Sequence, residues 1–193
     1  SDNAEISYGG QIENSVVAGD AKIEGGLGVE IRSSRINGSA IVFGEMSDRK
    51  LILENTFVED CAVIRDGATI INSTVCEHAV IAGKPEIRNS YIAGKAGVSG
   101  KAKLDNAVVI GDALVYEDAR VSHSKIQGKA QVLGKATVEQ SVVVADARVS
   151  GEAVVRNFKV EGAAFSGKAD KGISDVEQLA MTAQPVSKEM EEN

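Results

Sequence analysis

The chain predicts an all-β fold: a triangular parallel β-helix in which short strands wind around a narrow prism. Three observations carry this. A phrase of one small residue, any residue, then Val, Ile or Leu recurs from Thr56. Its small positions run Thr56, Ala62, Ala68, then Ser73, Ala79, Pro85, then Ser90, Ala96, Ala102, and on to Ser141, Ala147, Ala153, at spacings of six, six and five that add up to a coil of seventeen. Within each phrase the first and third residues are small or apolar and the second is usually polar, the period-two alternation of a half-buried strand. Finally, 43% of the 193 residues are hydrophobic but only 4% are aromatic, with no Trp, 20 Gly and 2 Pro. Small and β-branched residues must therefore fill the interior, as a thin, regularly stacked prism requires.

The elements follow in order. Ala4/Ile6, Gly10/Ile12, Ser15/Val17, Ala21/Ile23, Leu27/Val29, Ser34/Ile36, Ala40/Val42 and Leu51/Leu53 are early phrases, with two residues added near 31–33 and about five in 43–50, a loop protruding from one corner. From Thr56 three inward columns form: Val58 to Val160, Ile64 to Val149 and Ile70 to Val155, each flanked by small residues. One corner carries Asn55, Asn72, Asn89, Asn106, His123, Gln140 and Asn157, a ladder suited to left-handed backbone. The other corners repeat Gly94, Gly111, Gly128 and Gly83, Gly100, Gly134, Gly151. Phe158 and Phe165 close the stack in place of small residues. The β-helix domain is thus 1–171. Ser174-Asp175-Val176-Glu177 then reads as a capping box, and 172–184 as a short amphipathic helix covering the last coil. The acidic tail 185–193 reads as disordered.

A formal charge of −7 argues against nucleic acid, which needs a basic stripe. No apolar run approaches the ~20 residues of a membrane span. Two Cys build no disulfide framework and favour a reducing compartment, hence a cytoplasmic location. No cofactor is expected.

Outward positions supply the candidate sites. Phe57, Tyr91, Val108, Ile110, Leu114, Tyr116 and Val142 form an apolar wedge, and a contiguous outward patch points to an interface, most simply with a second copy of the chain. Corner columns Lys95, Asp112, Lys129, Asp146 and Lys84, Lys101, Asp118, Lys135, Glu152, Lys168 read as charge ladders that support register. Cys61, His78 and Lys95 stack on successive coils, with Cys76 and Glu77 at the same corner. Cys61 and His78 could pair as nucleophile and base. No metal is expected, though Cys61, Cys76 and His78 are the residues that would hold one.

The repeated phrase resembles the hexapeptide repeat of left-handed β-helices, the trimeric LpxA-like superfamily, and Ala96–Lys101 (Ala-x-Val-Ser-Gly-Lys) most resembles its YdcK-like group. The resemblance covers about residues 1–170 and implies a left-handed coil. Because parallel crossovers are otherwise right-handed, a bactofilin-like right-handed β-helix is the alternative. It also implies an acyltransferase with His78 as general base at a subunit boundary. Two departures weaken that activity: Gly follows the Val one residue late, and the coil is one residue shorter than three full hexapeptides. The reading therefore favours a non-catalytic, self-associating scaffold or interaction module. A hexapeptide-type acyl- or other group transferase and a structural filament or appendage segment are the alternatives.

Overall fold

The computed structural model describes residues 3–7, 10–25, 28–44 and 49–167. Among them, 28 short strands build three parallel sheets, the faces of one solenoid. Face 1 has ten strands, from Glu5–Ser7 to Ala164–Gly167; face 2 has nine, from Gln11–Glu13 to Val154–Arg156; face 3 has nine, from Val16–Val17 to Lys159–Glu161. Each strand pairs with its equivalent on the coils before and after. Ile52, Thr69, Glu86 and Lys103 follow one another on face 2, and Phe57, Thr74, Tyr91 and Val108 on face 3. Side chains alternate in and out, so a register of this kind stacks like positions into columns.

The same register locates the insertions. Glu5 pairs with Lys22, one plain coil on, but Lys22 pairs with Ile41 and Gln11 with Glu30, each two positions further than a plain coil reaches. The two added residues therefore lie between Glu24 and Val29, which corrects the placement near 31–33. Ile41 pairs with Val63 and Glu30 with Ile52, so five further residues lie between Phe43 and Leu51. Both insertions fall in the segments that connect faces 1 and 2, on successive coils. A corner absorbs extra backbone without moving an inward column, whereas an odd insertion inside a strand would turn its core residues outward.

The inward columns are closed. Ile64, Ile70, Ile81, Ile87, Ile92, Ala96, Ala102 and Ala119 have no solvent exposure. Phe165 aligns with Val149 and so occupies a large inward position rather than a small one. The expected helix at 172–184 and the tail 185–193 lie outside the described residues, and no helix among the described residues is long and apolar enough to cross a membrane.

From Asn55 on, three left-handed residues turn each coil. Between faces 2 and 3, Asn14, Ser33, Asn55, Asn72, Asn89, Asn106, His123, Gln140 and Asn157 all have φ between 48° and 53°. Asn55 Nδ2 donates to Asn72 Oδ1 at 3.2 Å, and Asn89 Nδ2 reaches Asp105 Oδ1 at 3.1 Å. The small residue after this turn does more than fit. Ser73, Ser90 and Ser141 Oγ donate to the carbonyl two residues back at 2.6–2.7 Å, and each accepts from the backbone N–H one coil on, as Ala107 N does to Ser90 Oγ at 3.1 Å. The turn leaves this amide without a backbone partner in a dry wall, and the hydroxyl supplies one; the carbonyl that the hydroxyl donates to also accepts a ladder amide from the next coil, as Ile71 O does from Asn89 N at 3.1 Å.

Between faces 3 and 1 the left-handed column mixes residue types: Gly94, Gly111 and Gly128 (φ 78–80°) with Asp60, Glu77 and Ala145 (φ 60–61°). Here substitutions should act in opposite directions. Ala145→Gly relieves a left-handed alanine and should stabilise by about 0.5–1 kcal/mol. Gly94→Ala should destabilise by about 1–3 kcal/mol, since its Cβ would lie 2.7 Å from the Gly111 carbonyl oxygen and 2.8 Å from its nitrogen. Urea unfolding midpoints test the pair, and equal shifts in one direction would refute it.

Candidate functional site on the outer faces

With the interior used for packing, any function lies on the three faces and their corners. Face 2 is charged. Glu86 sits between Arg49 Nη2 at 3.1 Å and Lys103 Nζ at 3.3 Å, and Arg156 Nε meets Glu139 Oε2 at 2.8 Å. Burial disfavours ionisation of Glu86, but Arg49 and Lys103 outweigh it and hold the carboxyl below its usual range. Arg49, near the end of the 43–50 insertion, also reaches Thr69 Oγ1 at 3.4 Å, so this side chain spans two further coils of the face. Beyond it lies a shallow groove of about 320 Å³ lined by Glu86, Arg88, Lys103, Asp105, Arg120, Glu139 and their neighbours. The corner ladders contribute less than expected. Among the described residues only Lys135 and Glu152, at 3.9 Å, close to ion-pair distance in either corner column, because exposed corner side chains diverge into water.

Faces 1 and 3 are different. The seven wedge residues divide between them. Phe57, Tyr91, Val108 and Val142 share one outward column of face 3, with Ile110 two residues after Val108 in the same strand, while Leu114 and Tyr116 stand on face 1. Phe57 is 48% exposed, Tyr91 42% and Leu114 37%; Val108, Ile110, Tyr116 and Val142 are half-buried. Ile41 and Phe43, both exposed on face 1, escaped the sequence reading because the two insertions break the regular count that would carry them into line with Val63 and Arg65. Counting from the shared corner recovers them. On the four coils from Val80 to Leu133, neither outward position of face 1 carries a charge.

The cysteine–histidine corner is only partly assembled. Cys61 and His78 are exposed on successive coils, their amides donating to Glu77 O at 2.8 Å and Gly94 O at 2.9 Å. Cys76, expected to face outward, is instead buried at 7% exposure beneath Tyr91, and its Sγ donates to Tyr91 Oη at 3.4 Å. Burial pushes this thiol above its usual range, against the hydrogen bond with Tyr91 and helped by the charges of Glu77 and Asp60. Tyr91 in turn is pushed up to about 12, first by its hydrogen bond with Cys76. Cys76 is thus a neutral packing thiol at pH 7. Among the described residues no group of three His, Cys, Asp or Glu side chains could hold a metal ion. His123 lies in the left-handed ladder, its amide donating to Asp105 O at 3.0 Å.

Fold and repeat define the chain as a parallel β-solenoid built from hexapeptide-type phrases. No family model and no curated protein sequence matches it. Solved structures similar to it include a hexapeptide transferase family protein from Anaplasma phagocytophilum, 15% identical over 92% of this chain and 90% of that one, with a TM-score of 0.38. Another is the UDP-N-acetylglucosamine O-acyltransferase (LpxA) of Moraxella catarrhalis, 14% identical over 92% of this chain and 77% of that one, with a TM-score of 0.30. Such loose superpositions add nothing to the solenoid assignment, which rests on the register of the chain's own strands.

Proposed function

We propose that this solenoid is a non-catalytic scaffold whose charge-poor surface on face 1 and apolar outward column on face 3 bind protein, in the first instance other copies of itself. The observation that supports this reading is the contrast between faces: ion pairs on face 2, but an outward surface on face 1 that runs four coils without a charge. Charged side chains are the usual means of keeping a sheet surface solvated and solitary, and their depletion is the compositional mark of an interface core.

Light scattering at micromolar concentration tests it. The wild type should be oligomeric, and Val108→Asp with Leu114→Asp together should weaken association at least about tenfold, because an aspartate on whichever of the two faces is covered must be desolvated without a partner. Neither substitution touches an inward column, so circular dichroism should be unchanged. A monomeric wild type, or an oligomer indifferent to both changes, would overturn the reading. Turnover of an acyl-CoA donor that disappears in His78→Ala would replace it with the transferase.

A further inference from the structure

We infer that face 1 binds face 1 of a second copy, with the two rods antiparallel about a two-fold axis that passes between the coils of Gly97 and Leu114. The inference rests on the scaffold reading and names its partner and geometry. Face 1 presents two outward columns, one through Ile41, Val63, Val80, Gly97, Leu114 and Gln131 and the other two residues later in each coil. A two-fold perpendicular to the rods keeps each column opposite itself and reverses its order.

With the axis at this position, side-chain sizes complement one another. Leu114 comes opposite Gly97 of the second copy and Tyr116 opposite Ser99. Leu133 meets Ala82, and at the rim Ile41 meets Ala164 and Phe43 meets Ser166. Away from the axis, bulky residues fill the places where the facing residue is small, as packed sheets require. The face's two arginines between these rims, Arg65 and Arg148, come opposite Ser150 and Val63 rather than each other. Moving the axis one coil earlier sets Val80 and Ala82 against Gly97 and Ser99, small on small, and leaves a void. A parallel pairing sets each coil against itself, so that Leu114 collides with Tyr116 while the Gly97 coil is left open. Leu114 of the same chain already covers Gly97, where a Cβ would lie 2.8 Å from Leu114 Cδ2, so at the axis the partner's Leu114 packs on this leucine side chain rather than into an open pocket.

The area suffices. Eight coils at about 4.8 Å, on a side six residues or about 20 Å wide, present about 770 Å² per copy, close to the ~800 Å² of a standard stable interface.

The test uses the full chain with exposed Cys61 replaced (Cys61→Ser), and adds Ile41→Cys and Ala164→Cys singly and together. In one chain these positions lie seven coils apart, about 34 Å, beyond a short bis-maleimide. The inference expects covalent dimers from the double variant only. It also expects Leu114→Asp alone to dissociate the dimer at least tenfold and Val108→Asp alone to leave it intact. Cross-linking by either single variant, or dissociation by Val108→Asp but not Leu114→Asp, would overturn this geometry and leave the scaffold reading standing. A wild type that stays monomeric would overturn both.

Discussion

Ile87→Ala should lower the unfolding free energy by about 2–5 kcal/mol, the range for deleting a large buried aliphatic whose cavity cannot collapse. Ile87 is wholly buried and stacked in register between Ile70 and Leu104. The spacing of these neighbours is set by backbone hydrogen bonds along face 2, such as Glu86 N to Ala102 O at 2.9 Å, so the walls of the cavity are held apart. A globular core would close part of such a gap by shifting a helix; a laddered prism has no comparable freedom. Urea unfolding followed by circular dichroism measures the loss. A change below about 1 kcal/mol would show that the coils can slide together after all.

Ala102→Leu tests the opposite error and should destabilise by about 1–3 kcal/mol through overpacking. Ala102 has no exposed surface and lies between the buried Ala96 and Leu104, with Ala119 on the coil beyond. Three added carbon atoms would have to displace an inward column that is already filled, or push the coil out of register. Denaturant midpoint shifts report the cost. An unchanged midpoint would mean that the interior holds a void which the buried columns do not suggest.

Much of this molecule was legible because a fixed period imposes the same environment on equivalent positions. The Ala and Val/Ile columns, the Asn ladder and its left-handed backbone could all be read from spacing and residue type. The place of the two-residue insertion could not. Leu27/Val29 and Ser34/Ile36 both parse as phrases, and a local alternation does not say which corner absorbs the excess. Ser73, Ser90 and Ser141 were legible as small residues but not as hydrogen-bonding ones. The amide they satisfy belongs to the next coil and becomes a neighbour only in the stack. Cys76 is a similar case: its burial depends on Tyr91, on the following coil, closing over it.

The candidate surfaces divide in the same way. Residue types alone showed that Phe57, Tyr91 and Leu114 are apolar where water was expected, because alternation assigns inside and outside within one strand. Which of them share a surface was decided by the winding of the chain. Corners turn each coil through the three sides of the prism, so neighbouring phrases stand on different faces and phrases a full coil apart stand on one. That is why Leu114 belongs with Ile41 and Phe43 rather than with Val108, and why the size complementarity of face 1 appears only when all its coils are stacked.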